Sequence, residues 1–147
     1  MRDNYSNLQR VHLGNVAVSG TTPATSAYVD VTGFGSCTLE VVNNTVTDAG
    51  TAAGFTVTLQ ESADTTDAAA TTVATTETVS AANTVTVTSD TADNAIAGAI
   101  GYLGTERYVG MTVTGTTGSD ADISVFALLG HPQVAPTTYI GTAVART

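Results

Sequence analysis

The sequence predicts an all-β protein: an antiparallel β-sandwich, jelly-roll-like or immunoglobulin-like, of about eight strands with extended N- and C-terminal arms. Three observations lead there. Threonine takes roughly a fifth of the 147 residues, far above its normal share, and with valine it favours strands. Apolar and polar residues alternate with a period of two through several stretches. Clusters of Gly, Asp, Asn, Ser and Thr separate these stretches at the short spacing of a sandwich, and no 3.6-residue period runs long enough for a helix. Periodicity alone does not choose between the two sandwich topologies.

Taken in chain order, residues 1–14 are polar and carry Arg2, Asp3, Arg10 and His12 before any alternation starts, so they read as an N-terminal arm. The sandwich domain spans 15–130. Strands are expected around Asn15–Val18, Ala27–Val31 and Ser36–Val42. In the third, Cys37 alternates with Leu39 and Val41 and reads as a small buried hydrophobe. The stretch "GFTVTLQES" is the clearest strand, with Phe55, Val57 and Leu59 on one face and Thr56, Thr58 and Gln60 on the other. A weaker strand is expected near Thr72–Val79, and "NTVTVTS" places Val85 and Val87 inside. Residues 91–101 read as one helical turn or a loop, and Arg107–Thr114 as a further strand. In "DISVFALLG", Ile123, Val125 and Ala127 alternate with Ser124, Phe126 and Leu128. Both faces turn apolar toward its end, which predicts a strand that is central or covered on both sides. Gly130 closes it. Residues 131–147 hold Pro132 and Pro136 and read as a C-terminal arm, because proline lacks a ladder donor and keeps its predecessor extended.

Charge narrows the partners. Thirteen carboxylates against four arginines, with no lysine, give a formal charge of −9 and a pI near 4.1. Such a surface repels phosphate backbones and anionic lipid, so neither nucleic acid nor membrane is expected as a partner. Basic residues gather in the two arms: Arg2 and Arg10 in the first, Arg146 in the second. With Tyr5, His131, Pro132, Pro136 and Tyr139 they are the candidate interaction residues, reaching an acidic neighbour or a second copy of the chain. A lone cysteine rules out an internal disulfide, and the polar "MRDNYSNLQR" has no signal-peptide core, so synthesis in the cytoplasm is expected.

No reaction centre is expected. The candidate bases are His12 and His131, and there is no G-x-S-x-G elbow or phosphate-cradling loop. The Cys and His residues are too few and too scattered for a zinc site, so no cofactor is assigned. Calcium takes oxygen ligands from loops, which leaves Asp64, Asp67, Asp90, Asp93, Asp120 and Asp122 as weak candidates, none at EF-hand spacing. A sugar cleft is disfavoured because tryptophan is absent and aromatics make up only 5%. In "TERYVGMTV", Arg107 beside Tyr108 reads as a structural anchor at a strand start; if partly buried it must pair with a carboxylate, and Glu61 or Glu106 is the candidate.

Three pieces in order, "TVTLQES" at 56–62, "GTERYVGMTVT" at 104–114 and "LLGHPQVAP" at 128–136, together with the opening "MRDNYSNL", carry a resemblance. The chain resembles a group of small proteins encoded among the virion structural genes of tailed bacteriophages and prophages. The threonine- and alanine-rich segment between "LQES" and "RYV" offers no further match. The resemblance implies a non-enzymatic virion component, most plausibly a capsid decoration or cement protein. Its partner would be the major capsid protein, and its place the capsid surface. Self-association is expected as well, a trimer being the state that suits many capsid decorations. A head–tail junction or tail protein is the first alternative, and a host-recognition or carbohydrate-binding module the second.

Overall fold

Alternating threonine and valine builds ten strands in the computed structural model, which describes residues 7–65 and 69–133. They are β1 (Leu8–Ser19), β2 (Ala24–Thr25), β3 (Val29–Asp30), β4 (Phe34–Asp48), β5 (Phe55–Ser62), β6 (Thr71–Thr72), β7 (Thr84–Val87), β8 (Ala95–Tyr102), β9 (Tyr108–Thr114) and β10 (Asp120–Pro132). All pairings are antiparallel. One sheet runs β1-β10-β4-β8. The other runs β2-β9-β5-β6, with β3 also on β9 and β7 also on β5.

The topology resolves once the broken edges are recognised. β2 and β3 pair with successive parts of β9, and β6 and β7 with successive parts of β5, so each couple acts as one interrupted strand. Eight strand positions remain, ordered 1-8-3-6 in one sheet and 2-7-4-5 in the other. That order is a long antiparallel hairpin (1 with 8, 2 with 7, 3 with 6, 4 with 5) rolled into two layers. The fold is a jelly-roll sandwich.

Its core is the inward half of each alternation. Phe55, Val57 and Leu59, then Ile123, Val125 and Ala127, then Leu39, Val41 and Val109 are fully buried, with Val85 and Val87 beside them. Burying each large apolar side chain contributes about 1.5–3 kcal/mol. Cys37 is buried as expected, and desolvation pushes its thiol up to about 12, far from a reactive thiolate.

Several expectations are corrected. The N-terminal arm was drawn through residue 14, yet β1 begins at Leu8, so Arg10 and His12 stand in a strand. The register shifts between His12 and Gly14, leaving Leu13 without a cross-strand partner. This bulge puts Val11 and Leu13 out of phase with Val16 and Val18 and hides the early alternation. The C-terminal arm was drawn from residue 131, yet β10 continues to Pro132, which lies opposite Phe34. His131 there has a positive φ of 52°, and the Gln133 amide donates to the Gly33 carbonyl at 2.8 Å. Residues 91–101, read as a helical turn or loop, contribute β8. Its Ala and Gly residues mute the alternation, although Ile100 and Tyr102 point inward.

The strand expected near Thr72–Val79 reduces to β6 and a 3-10 turn at Thr75–Glu77. Leu59 of β5 keeps the interrupted edge aligned, its carbonyl accepting from the Val73 amide (3.1 Å) and its amide donating to the Asn83 carbonyl (2.8 Å). Between those points the chain crosses to the other sheet. The Val79 amide donates to the Gly101 carbonyl (3.0 Å), and the Leu103 amide to the Glu77 carbonyl (2.7 Å). One excursion therefore ties the edges of both sheets.

Candidate interaction face

β10 lies between β1 and β4, as a strand apolar on both faces should. Its outward residues Ser124, Phe126 and Leu128 are flanked in register by both neighbours. Arg10 and Thr38 stand across from Leu128, His12 and Glu40 from Phe126, and Asn15 and Val42 from Ser124. Among the described residues no second layer covers this side, and side chains do the covering. The Arg10 guanidinium carbon sits 3.9 Å from the Phe126 ring centroid, and its Nη2 reaches Glu40 Oε2 at 3.2 Å. His12 stacks on Phe126 with centroids 4.8 Å apart and planes at 29°.

Polar bonds extend the row. His12 Nε2 meets Asn15 Oδ1 at 3.1 Å. The Ser124 hydroxyl donates to Asn15 Oδ1 at 2.8 Å, while Asn44 Nδ2 donates to Ser124 Oγ (2.9 Å) and to Asp122 Oδ2 (2.7 Å). The face thus presents a half-buried aromatic ring between a cation and an imidazole, beside a fixed amide and hydroxyl row. An exposed ion pair and an exposed cation–π contact each stabilise by at most about 1 kcal/mol. The cluster holds shape more than it holds the fold.

The remaining candidates fall elsewhere. Arg107 pairs with Asp30, not with Glu61 or Glu106, and it is exposed, not partly buried: Nη2 and Nε donate to Asp30 Oδ2 at 2.7 and 3.1 Å. The reason is the β3–β9 pairing, which sets Asp30 opposite Tyr108 and next to Arg107. The Tyr108 ring lies 5.0 Å from the guanidinium. Burial acts to raise Asp30, but the hydrogen bonds from Arg107 and Thr32, with the arginine's charge, outweigh it and hold the carboxyl at about 2. Glu61 instead accepts from the Tyr102 hydroxyl at 2.6 Å, and that hydroxyl accepts from the Glu106 amide at 2.9 Å. Burial, then the Glu61 hydrogen bond, push the Tyr102 phenol well above its ordinary range.

Four of the calcium candidates, Asp90, Asp93, Asp120 and Asp122, reach one end of the sandwich without forming a ligand group. Asp90 accepts from the Ala49 amide at 2.8 Å, Asp93 from the Val46 amide, and Asp122 from Asn44. Asp120 opens β10, and Asp64 follows β5 with its amide on Ser62 Oγ. Among the described residues no three His, Cys, Asp or Glu side chains gather as metal ligands do. Asp67, Arg2, Tyr5, Pro136, Tyr139 and Arg146 lie outside the described residues. His131 Nδ1 meets Ser36 Oγ at 3.1 Å on the neighbouring strand, and among the described residues no carboxylate bonds the ring to orient it as a base. No helix among the described residues is long and apolar enough to cross a membrane.

Sequence reasoning missed Phe126 as the centre of this face and assigned Arg10 and His12 to an arm. The signal was present: polar Arg10 and His12 alternate with Val11 and Leu13, and Phe126 and Leu128 break an otherwise polar outer face. Comparison with known protein families, curated proteins and solved structures finds no match.

Proposed function

We propose that this chain is a non-enzymatic bacteriophage virion protein, a decoration or cement protein that sits on the outer capsid surface, binds the major capsid protein and staples neighbouring subunits. The observation that carries the reading is where the chain enters and leaves the described domain. Leu8 lies opposite Gly130, so the N- and C-terminal segments begin from adjacent strand ends of one sheet. The face centred on Phe126 lies on the same two strands and the adjoining β4, and starts at the next cross-strand pair but one. A rigid sandwich whose contact face lies next to the points where the chain enters and leaves it is suited to gripping a surface. Repetition on a symmetric shell multiplies a modest contact, since an interface of about 800 Å² per partner is ordinary for specific association. The ordered resemblance to phage structural proteins points the same way.

Quantitative mass spectrometry of particles purified from cells that make this chain tests the reading. The expected result is a stoichiometric component, present in copies comparable to the capsid subunit. Absence from the particle overturns the virion assignment. A copy number of a dozen or fewer moves the protein to the head–tail junction or tail and ends the cement reading.

A further inference from the structure

Four large apolar side chains are exposed among the described residues: Leu8 (42%), Val79 (71%), Ile96 (65%) and Leu103 (61%). Three of them belong to one place, the outer edge of β8. Ile96 lies within that strand and Leu103 follows it. Val79 is bonded to it through the Gly101 carbonyl and lies against the Gly101 Cα.

The backbone of that edge is open over part of its length. β8 is the last strand of its sheet, paired with β4 on one side only. On the other side the excursion through Glu77 and Val79 takes up the Leu103 amide and the Gly101 carbonyl. Alternation puts the N–H and C=O of Ala99 on the same side as those of Gly101. No described backbone group bonds Ala99 there, and Ala99 is exposed. Sheet edges are ordinarily guarded by lysine, proline or an inward charge. Along the open part none occurs: residues 94–105 carry no charge and no proline, neither do residues 78–89, which supply Val79, and Glu77 stands at the far end, where the excursion already covers β8.

Charge selects the occupant. Two copies at −9 each repel wherever carboxylates meet, and the stretch of this edge from Ile96 to Ala99 carries none. A basic partner would gain nothing from it. A strand edge is also self-complementary under a two-fold axis, because an antiparallel pair places the same residues on both sides. We infer that β8 is a self-association edge, at which the β8 strands of two copies pair antiparallel and cover Ile96 against its symmetry mate. This inference is independent of the capsid reading.

Sedimentation velocity of the full chain across the micromolar range tests it. The expected result is a reversible monomer–dimer equilibrium. Ile96→Glu, which sets two carboxylates against each other at the pair, should weaken it at least about tenfold. Leu8→Glu, an equal change at an exposed leucine away from this edge, should leave it intact. Circular dichroism checks that each variant folds, and Val79→Glu replaces Ile96→Glu if that one does not. A wild type that stays monomeric overturns the inference, as does a dimer untouched by either edge variant. A closed trimer overturns it too, since this edge-to-edge pair is complete at two.

Discussion

The two ends of the sandwich solve the same problem with different side chains. At one end lie the β4–β5 and β9–β10 turns and the segment after β7, with Asp48, Asp90, Asp93, Asp120 and Asp122 and no arginine among the described residues. These short carboxylates accept backbone amides: Asp48 from Gly50, Asp90 from Ala49, Asp93 from Val46. At the other end, where β1 starts and β10 finishes, long side chains meet each other, as in Arg107 with Asp30 and Tyr102 with Glu61. Both ends join elements distant in sequence, but the first does so by carboxylates on backbone amides, as in Asp90 with Ala49 and Asp93 with Val46. The second does so by side chain on side chain, and it borders the exposed Phe126 face. Stability should therefore be most sensitive at the first end and binding at the second.

The largest effect is expected at Gly54, which adopts φ +70° and where a Cβ would stand 1.9 Å from the Val87 carbonyl oxygen. Backbone cannot yield as a side-chain tip can. Gly54→Ala should cost more than about 3 kcal/mol in urea unfolding, or prevent folding. Next comes Asp93→Ala, which strips the acceptor from the amide of buried Val46 and should cost about 1–3 kcal/mol by the same measurement. A loss under a few tenths would mean that water closes this end as well as aspartate does.

Tyr102→Phe probes the opposite end, removing the tie from β8 to Glu61 and to the Glu106 amide. A cost of about 1–2 kcal/mol is expected, with the β8 amides exchanging faster in a hydrogen-exchange experiment.

The smallest effect concerns acid. Asp30 is held at about 2 in the folded chain against an ordinary 3.8, so its contribution is complete above pH 4 or so and is lost as pH falls toward 2. Arg107→Ala should move the Asp30 carboxyl back toward its ordinary value in an NMR titration and flatten that part of the stability profile. An unmoved titration would show that the Thr32 amide, not the arginine, sets it.

What was legible in the sequence follows this division. Strong alternation identified β4, β5, β7 and β10 and their buried faces, because period-two burial is a local signal. Turn aspartates announced loops, although their bonding to backbone amides depended on strands folding back beside them. Non-local facts were hidden. The partner of Arg107 rests on β3 reaching β9, and the jelly-roll order on two strands being interrupted. The bulge at His12–Gly14 hid the first half of β1 by shifting its phase, leaving only Asn15–Val18 legible, and alanine and glycine muted β8. The Phe126 face was missed for the same reason, since Arg10, His12, Glu40 and Phe126 come from three strands that only the sheet aligns.

The account stands most directly on whether that face docks. Cosedimentation of the purified chain with particles lacking it, for the wild type, Arg10→Glu and Asp120→Asn, measures this. The proposed reading predicts that Arg10→Glu binds at least about tenfold more weakly with an unfolding midpoint close to wild type, and that Asp120→Asn binds normally. Full binding by Arg10→Glu, or loss of binding by Asp120→Asn alone, would contradict it.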